Sequence, residues 1–298
     1  MDRLAIIQLG SCGGCQLSLL DLGKDFLDIM EMYSIEHFPM IREGEEFPES
    51  DLVLVEGTVR HARHLESLRK VRGRARTLVA LGTCAVFGGV QGLANVSGGG
   101  RWEESISRAR AGESVPLFTR RVLPLDAYVP VDVRLPGCPV PAGLLASFLK
   151  GSAEGARPTR ESATVCAECP LRGGGEKGGP FRFTERKAES GICFLEQGFL
   201  CMGPLTRDGC GALCPGSSGY PCRGCRGPSD GALIFQELDP MVESIRRLSR
   251  TASNKDEQVA GYFMDRAHAF FMFCAAEPTF RDRRVGGTSG IVYRLGGE

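Results

Sequence analysis

The chain has 298 residues, 42% of them hydrophobic and 24% charged, which is an ordinary globular composition with enough apolar material for a folded core. Lys plus Arg and Asp plus Glu both number 36, and this zero net charge provides no overall field for binding a nucleic acid or an anionic membrane. The apolar runs at residues 4–9 and 269–276 are too short for a signal peptide or a membrane-spanning helix, so we expect a soluble, cytoplasmic protein without direct membrane insertion.

Strand-like runs alternate with helical patterns over the first 150 residues. The predicted strands are residues 4–9, 35–38, 52–55, 77–81 and 131–135. Helices are predicted from about Ser18, over 61–71 and over 142–150, with His61 and His64 on a solvated polar face. This alternation favours an α/β fold with a parallel sheet that helices cover on both faces. We assign residues 1–150 to this domain.

Composition changes after Lys150. A linker rich in Gly, Ser and Pro leads into a cysteine-dense stretch with few long apolar runs, which we predict to be an irregular domain over residues 151–235 that depends on bound metal. Helical spacing returns after residue 238 and again over 259–274, so residues 236–298 are predicted to be a helical C-terminal segment.

Thirteen cysteines are the main functional signal. An odd number in a reducing compartment disfavours a complete disulfide framework and favours metal or redox chemistry. Four of them follow predicted strands, and in a parallel sheet such loops all emerge at the carboxyl edge. These four are Cys12, Cys15, Cys84 and Cys138. We predict that they hold a 4Fe-4S cubane, because glycine and proline in these loops let backbone approach a cluster.

Simpler explanations exist for these four cysteines. A CxxC between a strand and a helix is also typical of a thioredoxin-like redox pair. Cys84 or Cys138 alone could be a small buried hydrophobe. The joint position of all four at strand ends favours the cluster.

Eight further cysteines lie within sixty residues and form two sets by proximity. The first set is Cys166, Cys169, Cys193 and Cys201, and the second is Cys210, Cys214, Cys222 and Cys225. Structural zinc also uses four cysteines in CxxC pairs, so spacing alone does not separate iron from zinc. The coexistence of these cysteines with a third site at the sheet edge favours iron. Ferredoxins exchange ligands between clusters, so the partition is a hypothesis.

Glu56 ends a predicted strand at the same sheet edge as the first four cysteines. It could cap a turn, or it could serve as a carboxylate next to the ligands or in a proton relay. The sequence leaves both roles open.

Six motifs occur together in an order that resembles the small subunit of nickel-iron hydrogenases. They are CGGC at 12–15, VEG at 55–57, GTCA at 82–85, PGCP at 136–139, CMGP at 201–204 and PCRGC at 221–225. The resemblance implies a flavodoxin-like first domain and three 4Fe-4S clusters. It implies that the four early cysteines hold the proximal cluster, the set from Cys210 to Cys225 the medial one and the set from Cys166 to Cys201 the distal one.

Departures from the membrane-bound type point to a subtype. That type has a histidine in place of Cys166, a proline near Cys214 and an acid where this chain has Leu17. The pattern is more similar to cytoplasmic hydrogenases of the methyl-viologen-reducing type. This similarity implies a nickel-iron large subunit as partner, with a further iron-sulfur or flavin subunit and heterodisulfide reductase beyond it.

Two other classes stay open at this stage. A quinone-linked, complex I-like iron-sulfur subunit shares the first domain but does not need the eight later cysteines. A zinc-stapled interaction protein is the third class.

Overall fold

The computed structural model describes residues 1–42, 47–95, 119, 121–155, 163–172, 189–197, 199, 201–229, 272–274 and 276. The chain divides into two compact units, Met1–Thr159 with Met272–Glu298, and Arg160–Phe271. The assignment of three domains with boundaries at 150 and 235 stays a prediction.

The first unit contains a parallel sheet of five strands. The strands are β1 (Asp2–Gln8), β2 (Tyr33–His37), β3 (Ser50–Glu56), β4 (Ala75–Leu81) and β5 (Val133–Leu135). Their order in the sheet is β2-β1-β3-β4-β5, and every neighbouring pair is parallel. This is the strand order of flavodoxin-like folds, so the predicted α/β class and sheet are confirmed.

Helices connect these strands, and two further short helices lie in the second unit. Those of the first unit are α1 (Gly14–Leu20), α2 (Lys24–Met32), α3 (Ala62–Arg74), α4 (Gly82–Phe87) and α5 (Ala142–Ala153). Two 3₁₀ segments cover Val90–Asn95 and Leu125–Ala127. Two short helices, α6 (Val165–Glu168) and α7 (Leu213–Gly216), lie in the second unit.

Burial explains why the central strands form. Residues 52–55 of β3 are all buried, as expected for a strand that helices cover on both faces. The main apolar cluster joins β1, β3 and β4 to α1 and α5. The hydroxyl of Tyr33, buried in β2, donates to the carbonyl of Leu149 in α5 at 2.7 Å, which ties the edge strand to the covering helix.

Two local predictions were wrong. The single helix expected from Ser18 is two helices, because the chain turns at Gly23, whose φ of 60° interrupts the helix. His61 and His64 are not on a fully solvated face, since their ring centroids lie 3.6 Å apart and His64 is half-buried. The Nδ1 of His64 accepts a hydrogen bond from the Arg60 amide at 3.3 Å, so the ring lies against the backbone that precedes the helix.

The second unit has little regular structure in its described part, where turns and short helices hold the cysteines. The predicted C-terminal helices fall almost wholly outside the described residues, and Met272–Cys274 form a turn. Within the part of the chain that the structure describes, no helix is both long and apolar enough to cross a bilayer.

Candidate metal centres

The first four cysteines lie at the carboxyl edge of the sheet. Cys12 follows β1, Cys15 lies in the first turn of α1, Cys84 in the first turn of α4, and Cys138 follows β5. Their thiols are electrostatic neighbours, because Cys138 acts on both Cys15 and Cys84, and Cys12 acts on both Cys84 and Cys138. The structure therefore brings the four side chains into one neighbourhood.

Backbone hydrogen bonds hold the loops of this group together. The Thr83 amide, next to Cys84, donates to the Gly137 carbonyl at 2.9 Å, which ties α4 to the loop after β5. Gly10 and Thr58 exchange two backbone hydrogen bonds of 3.0 and 3.1 Å, joining the loops after β1 and β3. Gln91 braces the same junction, because it donates to the Gly10 carbonyl and accepts from the Thr58 hydroxyl.

Two glycines leave space for the sulfur atoms. A Cβ on Gly82 would lie 2.6 Å from Cys15 Sγ, and a Cβ on Gly89 would lie 2.7 Å from Cys84 Sγ. Both residues also have positive φ, 84° and 56°, where a side chain is strained. Glycine is therefore required at these positions by both space and backbone geometry.

Burial disfavours the thiolate form of Cys15, Cys84 and Cys138. It raises the pKa of Cys15 well above its ordinary value, and the charges of Glu56, Cys84 and Cys138 raise it further. Burial, followed by the charges of Cys138, Cys12 and Glu56, raises the pKa of Cys84 to about 12. Because thiolate is the form that binds metal, a bound cation would have to compensate the buried charges.

Glu56 is the buried carboxylate of this edge, with 2% of its surface exposed. Its Oε1 accepts from the Cys15 amide at 3.2 Å, and its Oε2 accepts from Gln16 Nε2 at 3.0 Å. Gln16, fully buried, also donates to Gln8 Oε1 at 3.0 Å. Sequence reasoning missed Gln8, Gln16 and Gln91, although the position of Gln16 directly after the CxxC was an available signal.

The first later set of cysteines lies around α6. Cys166 is in α6 and Cys169 directly follows it. Burial, together with the charges of Cys169, Cys193 and Cys222, raises the pKa of Cys166 to about 11. Burial raises the pKa of Cys201 to about 12, and the charges of Cys222 and Cys166 contribute. The other three members of this set are therefore electrostatic neighbours of Cys166.

The second later set lies around α7. Cys214 is in α7, and burial followed by the charge of Cys210 raises its pKa. The pKa of Cys222 is raised by burial and by the charges of Cys214 and Cys210, against the lowering effect of hydrogen bonds with the Gly224 backbone and the Thr206 side chain. Cys225 lies in the turn closed by the hydrogen bond of 2.9 Å from the Gly227 amide to the Gly224 carbonyl.

Cys222, a member of the second set, also lies beside the first set. Its amide donates to Cys201 Sγ at 3.3 Å, and its charge acts on Cys166 as well as on Cys201. Gly203 lies at the same point, where a Cβ would be 3.1 Å from Cys166 Sγ and 3.5 Å from Cys201 Sγ. The two sets are therefore adjacent, and geometry alone does not fix which set takes Cys222.

None of the thirteen cysteines, all of which lie in the described ranges, forms a disulfide. Among the described residues, no three Cys, His, Asp or Glu side chains gather closely enough to hold one metal ion. The cysteine sets are therefore neighbourhoods of thiols and not formed ligand shells for a single metal ion.

Comparison with known proteins defines the class. A subunit of the F420-non-reducing hydrogenase vhu of Methanococcus voltae is 36% identical over 241 residues, covering 78% of this chain and 84% of that protein. Sulfhydrogenase 2 subunit delta of Pyrococcus furiosus is 37% identical over 252 residues, covering 83% of this chain and 97% of that protein. The corresponding subunit of the F420-non-reducing hydrogenase of Methanothermobacter marburgensis is 32% identical over 296 residues, with 91% and 93% coverage.

Two broader matches agree with the fold. The family described as NADH ubiquinone oxidoreductase, 20 Kd subunit, matches residues 12–151. A solved chain of the [NiFeSe]-hydrogenase of Dm. baculatum shares the fold, with a TM-score of 0.51, 18% identity, and coverage of 77% of this chain and 96% of that one.

The fold and the sequence relatives define an electron-transfer subunit of a hydrogenase, which is an oxidoreductase. The chain belongs to the family of nickel-iron hydrogenase small subunits, together with these relatives from the F420-non-reducing enzymes and the sulfhydrogenase. The resemblance inferred from the six motifs is thereby confirmed.

Proposed function

We propose that this chain relays electrons from hydrogen oxidation at a nickel-iron large subunit through three 4Fe-4S clusters. The observation that carries the proposal is the convergence of Cys12, Cys15, Cys84 and Cys138 from separate loops at one sheet edge. Two further sets of four cysteines in the second unit provide donors for two more clusters.

The residues present fit such clusters. The donors are all sulfur, which suits iron-sulfur ligation. Buried thiols with raised pKa values become good ligands only when a metal compensates their charge. Glycines at 82, 89 and 203 leave room directly beside proposed ligand sulfurs. A disulfide role finds no support, since no two of the thirteen cysteines in the described ranges are joined to each other.

The clusters would supply one-electron redox chemistry, and the protein would set their positions and potentials. Cys12, Cys15, Cys84 and Cys138 would hold the proximal cluster. The medial cluster would be held by Cys210, Cys214, Cys222 and Cys225. The distal cluster would be held by Cys166, Cys169, Cys193 and Cys201. Because Cys222 also neighbours Cys201, the medial and distal centres would be close to each other.

Glu56 would act at the proximal cluster in one of two ways. Its Oε1 orients the Cys15 amide, and its Oε2 is linked through Gln16 to Gln8. A carboxylate buried in such a chain of polar groups can hold or pass a proton. We propose the proton relay as its role, and orientation of Cys15 is the alternative.

The proposed partners follow from the family. They are a nickel-iron large subunit, a further iron-sulfur or flavin subunit and heterodisulfide reductase, all in the cytoplasm, with no nucleic acid. The quinone-linked alternative matches only the first unit, through the family match over residues 12–151. The hydrogenase relatives cover both units, so we favour the hydrogenase function.

Replacement of one proposed ligand tests this function. Cys84→Ala should abolish hydrogen-dependent dye reduction by the purified complex while leaving part of the subunit assembly intact. Iron should fall from about twelve to about eight atoms per chain, since one of three four-iron clusters is lost. The matched control is Cys274→Ala, which changes a buried cysteine outside the three sets and should keep both values. Full activity in Cys84→Ala would remove Cys84 from the relay.

A further inference from the structure

A single carboxylate connects the two later cysteine sets. Glu168 lies between Cys166 and Cys169, at the end of α6. Its Oε1 accepts from the Gly209 amide at 2.8 Å. Its Oε2 accepts from the Cys210 amide at 3.2 Å and from the Gly211 amide at 3.0 Å. Three consecutive amides, some forty residues away in sequence, therefore converge on one side chain.

Backbone geometry explains this convergence. Gly209, Gly211 and Ala212 have φ values of 93°, 60° and 51°, all in the left-handed region. Left-handed residues that flank Cys210 turn successive N–H groups to the same side, which forms an anion-binding concavity of the kind called a nest. The anion in this nest is the protein's own Glu168.

The loop is held in a strained state. Ala212 is the one residue other than glycine with positive φ in the described ranges, and its side chain is fully buried. Such a conformation persists only where surrounding contacts determine it. Glu168 holds the amides of the three residues directly before Ala212, which leads into α7 with Cys214.

We propose that Glu168 is a positioning residue for the medial centre, because its carboxylate fills the nest and fixes the backbone that carries Cys210. This role rests on the proposed function, since it concerns the cluster that Cys210 would help to hold. This interaction of Glu168 with the three amides, which we call the Glu168 clamp, also links α6 of the distal set to the start of the medial set.

The clamp has a redox consequence. Hydrogen bonds that end on ligand sulfurs and nearby charges are both major influences on cluster potentials. While Glu168 accepts from the three amides, these amides are not available to sulfur. Loss of the clamp would free these amides to donate to sulfur. Such hydrogen bonds favour the reduced cluster, because it carries one more negative charge.

Two variants separate clamping from charge. Glu168→Asp keeps the charge but is one methylene too short to reach all three amides. Glu168→Gln keeps the length but loses the charge and one acceptor. Glu189→Gln, which changes an exposed carboxylate in the same unit, is the matched control.

The test is an EPR-monitored redox titration of the anaerobically purified complex, with iron counted in each sample. Both variants should raise the midpoint potential of the medial centre by about 59 mV. For a one-electron couple, this shift is roughly a tenfold increase in the ratio of reduced to oxidised cluster at a fixed potential. Loss of about four iron atoms from both variants, but not from the control, would equally support the clamp. The proximal centre should keep its wild-type potential in every sample.

Other outcomes would overturn the proposal. A shift in Glu168→Gln with wild-type behaviour in Glu168→Asp would mean that only the charge matters. Unchanged potentials and iron in both variants would leave Glu168 without a positioning role, while an iron-loaded wild type would leave the proposed function intact. A wild-type complex without iron would defeat the proposed function and this role together.

Discussion

At the scale of single residues, Glu56 has two candidate roles, orientation of Cys15 and transfer of a proton. Its two carboxylate oxygens accept from different partners, the Cys15 amide and the Gln16 side chain. Glutamine in its place would still accept from the Cys15 amide but could not carry a proton as a carboxylate does. The orienting role and the proton role can therefore be separated by one substitution.

Glu56→Gln is expected to slow hydrogen oxidation by the complex about 100-fold, the usual scale for removing a positioned acid or base. Iron content should stay at the wild-type level, because Cys15 keeps its orienting hydrogen bond. Exchange of hydrogen gas with deuterated water provides a direct readout of the proton step and should fall by a similar factor.

The control for this change is Glu66→Gln on the exposed face of α3, where the carboxylate pairs with Lys70 at 2.8 Å. It should keep the wild-type exchange rate. The opposite result would be that Glu56→Gln loses iron, while the complexes that keep iron exchange hydrogen at the wild-type rate. That result would assign Glu56 to orientation of Cys15.

A second residue-scale prediction concerns pH. Burial, followed by the charges of His61 and Arg60, lowers the pKa of His64 to about 4. The unfolded chain, with an ordinary histidine pKa of about 6.5, then binds more protons than the folded chain between about pH 6.5 and 4. The contribution of His64 to stability is therefore complete above about pH 6.5 and is lost as the pH falls towards about 4.

His64→Phe should make the melting temperature of the complex less sensitive to acidification. Between about pH 7 and 5.5 the variant should lose about 2 °C less than wild type, which corresponds to under about 1 kcal/mol after allowance for solvent screening of a half-buried ring. Lys70→Met, on the exposed face of the same helix, is the control. Equal slopes for His64→Phe and wild type would show that His64 does not titrate in this way.

At the scale of elements, the candidate proximal site is built from strand-loop-helix units. Cys15 and Cys84 both lie in the first turn of a helix that follows a strand. The glycine that opens α4, Gly82, touches the cysteine of α1, because a Cβ there would reach Cys15 Sγ. The two helices are therefore fitted to each other through a ligand position.

Gly82→Ala should disrupt this fit. The substitution combines a contact of 2.6 Å with a φ of 84°, so a local cost of at least about 1–2 kcal/mol is expected. Because the strain falls on a proposed ligand, iron should drop from about twelve to about eight atoms per chain. Metal analysis of the purified complex measures this directly.

Gly73→Ala is the matched control, since Gly73 lies within α3 and a Cβ there would meet nothing within 4 Å. It should keep full iron and stabilise the helix by roughly 0.5–1 kcal/mol. Normal iron in Gly82→Ala would contradict the close fit between Gly82 and Cys15.

Sequence patterns predicted the elements of the first unit well, for a physical reason. A short apolar run such as residues 52–55 is stable as a strand that is covered on both faces. The loops that follow parallel strands all emerge at the same edge of the sheet. The convergence of Cys84 with Cys138 could therefore be foreseen. The pairing of Glu168 with the 209–211 amides could not, because it depends on long-range folding of a loop without periodicity.

At the scale of the whole molecule, the two units differ in how they position their cysteines. The first has a regular sheet and a large apolar core, and it can position its cysteines by ordinary folding. In its described residues, the second has a small apolar cluster, against which further cysteines are packed; its members are Val165, Met202, Ala212 and Cys222. We propose that metal binding supplies much of the folding free energy of this unit.

The central claim is that the twelve cysteines hold three iron-sulfur cubanes. The most direct measurement is metal analysis of the wild-type complex, purified without air, together with EPR spectra before and after reduction with dithionite. The account predicts about twelve iron atoms for each copy of this chain and paramagnetic signals that develop on reduction. A colourless sample with stoichiometric zinc and no such signals would contradict it.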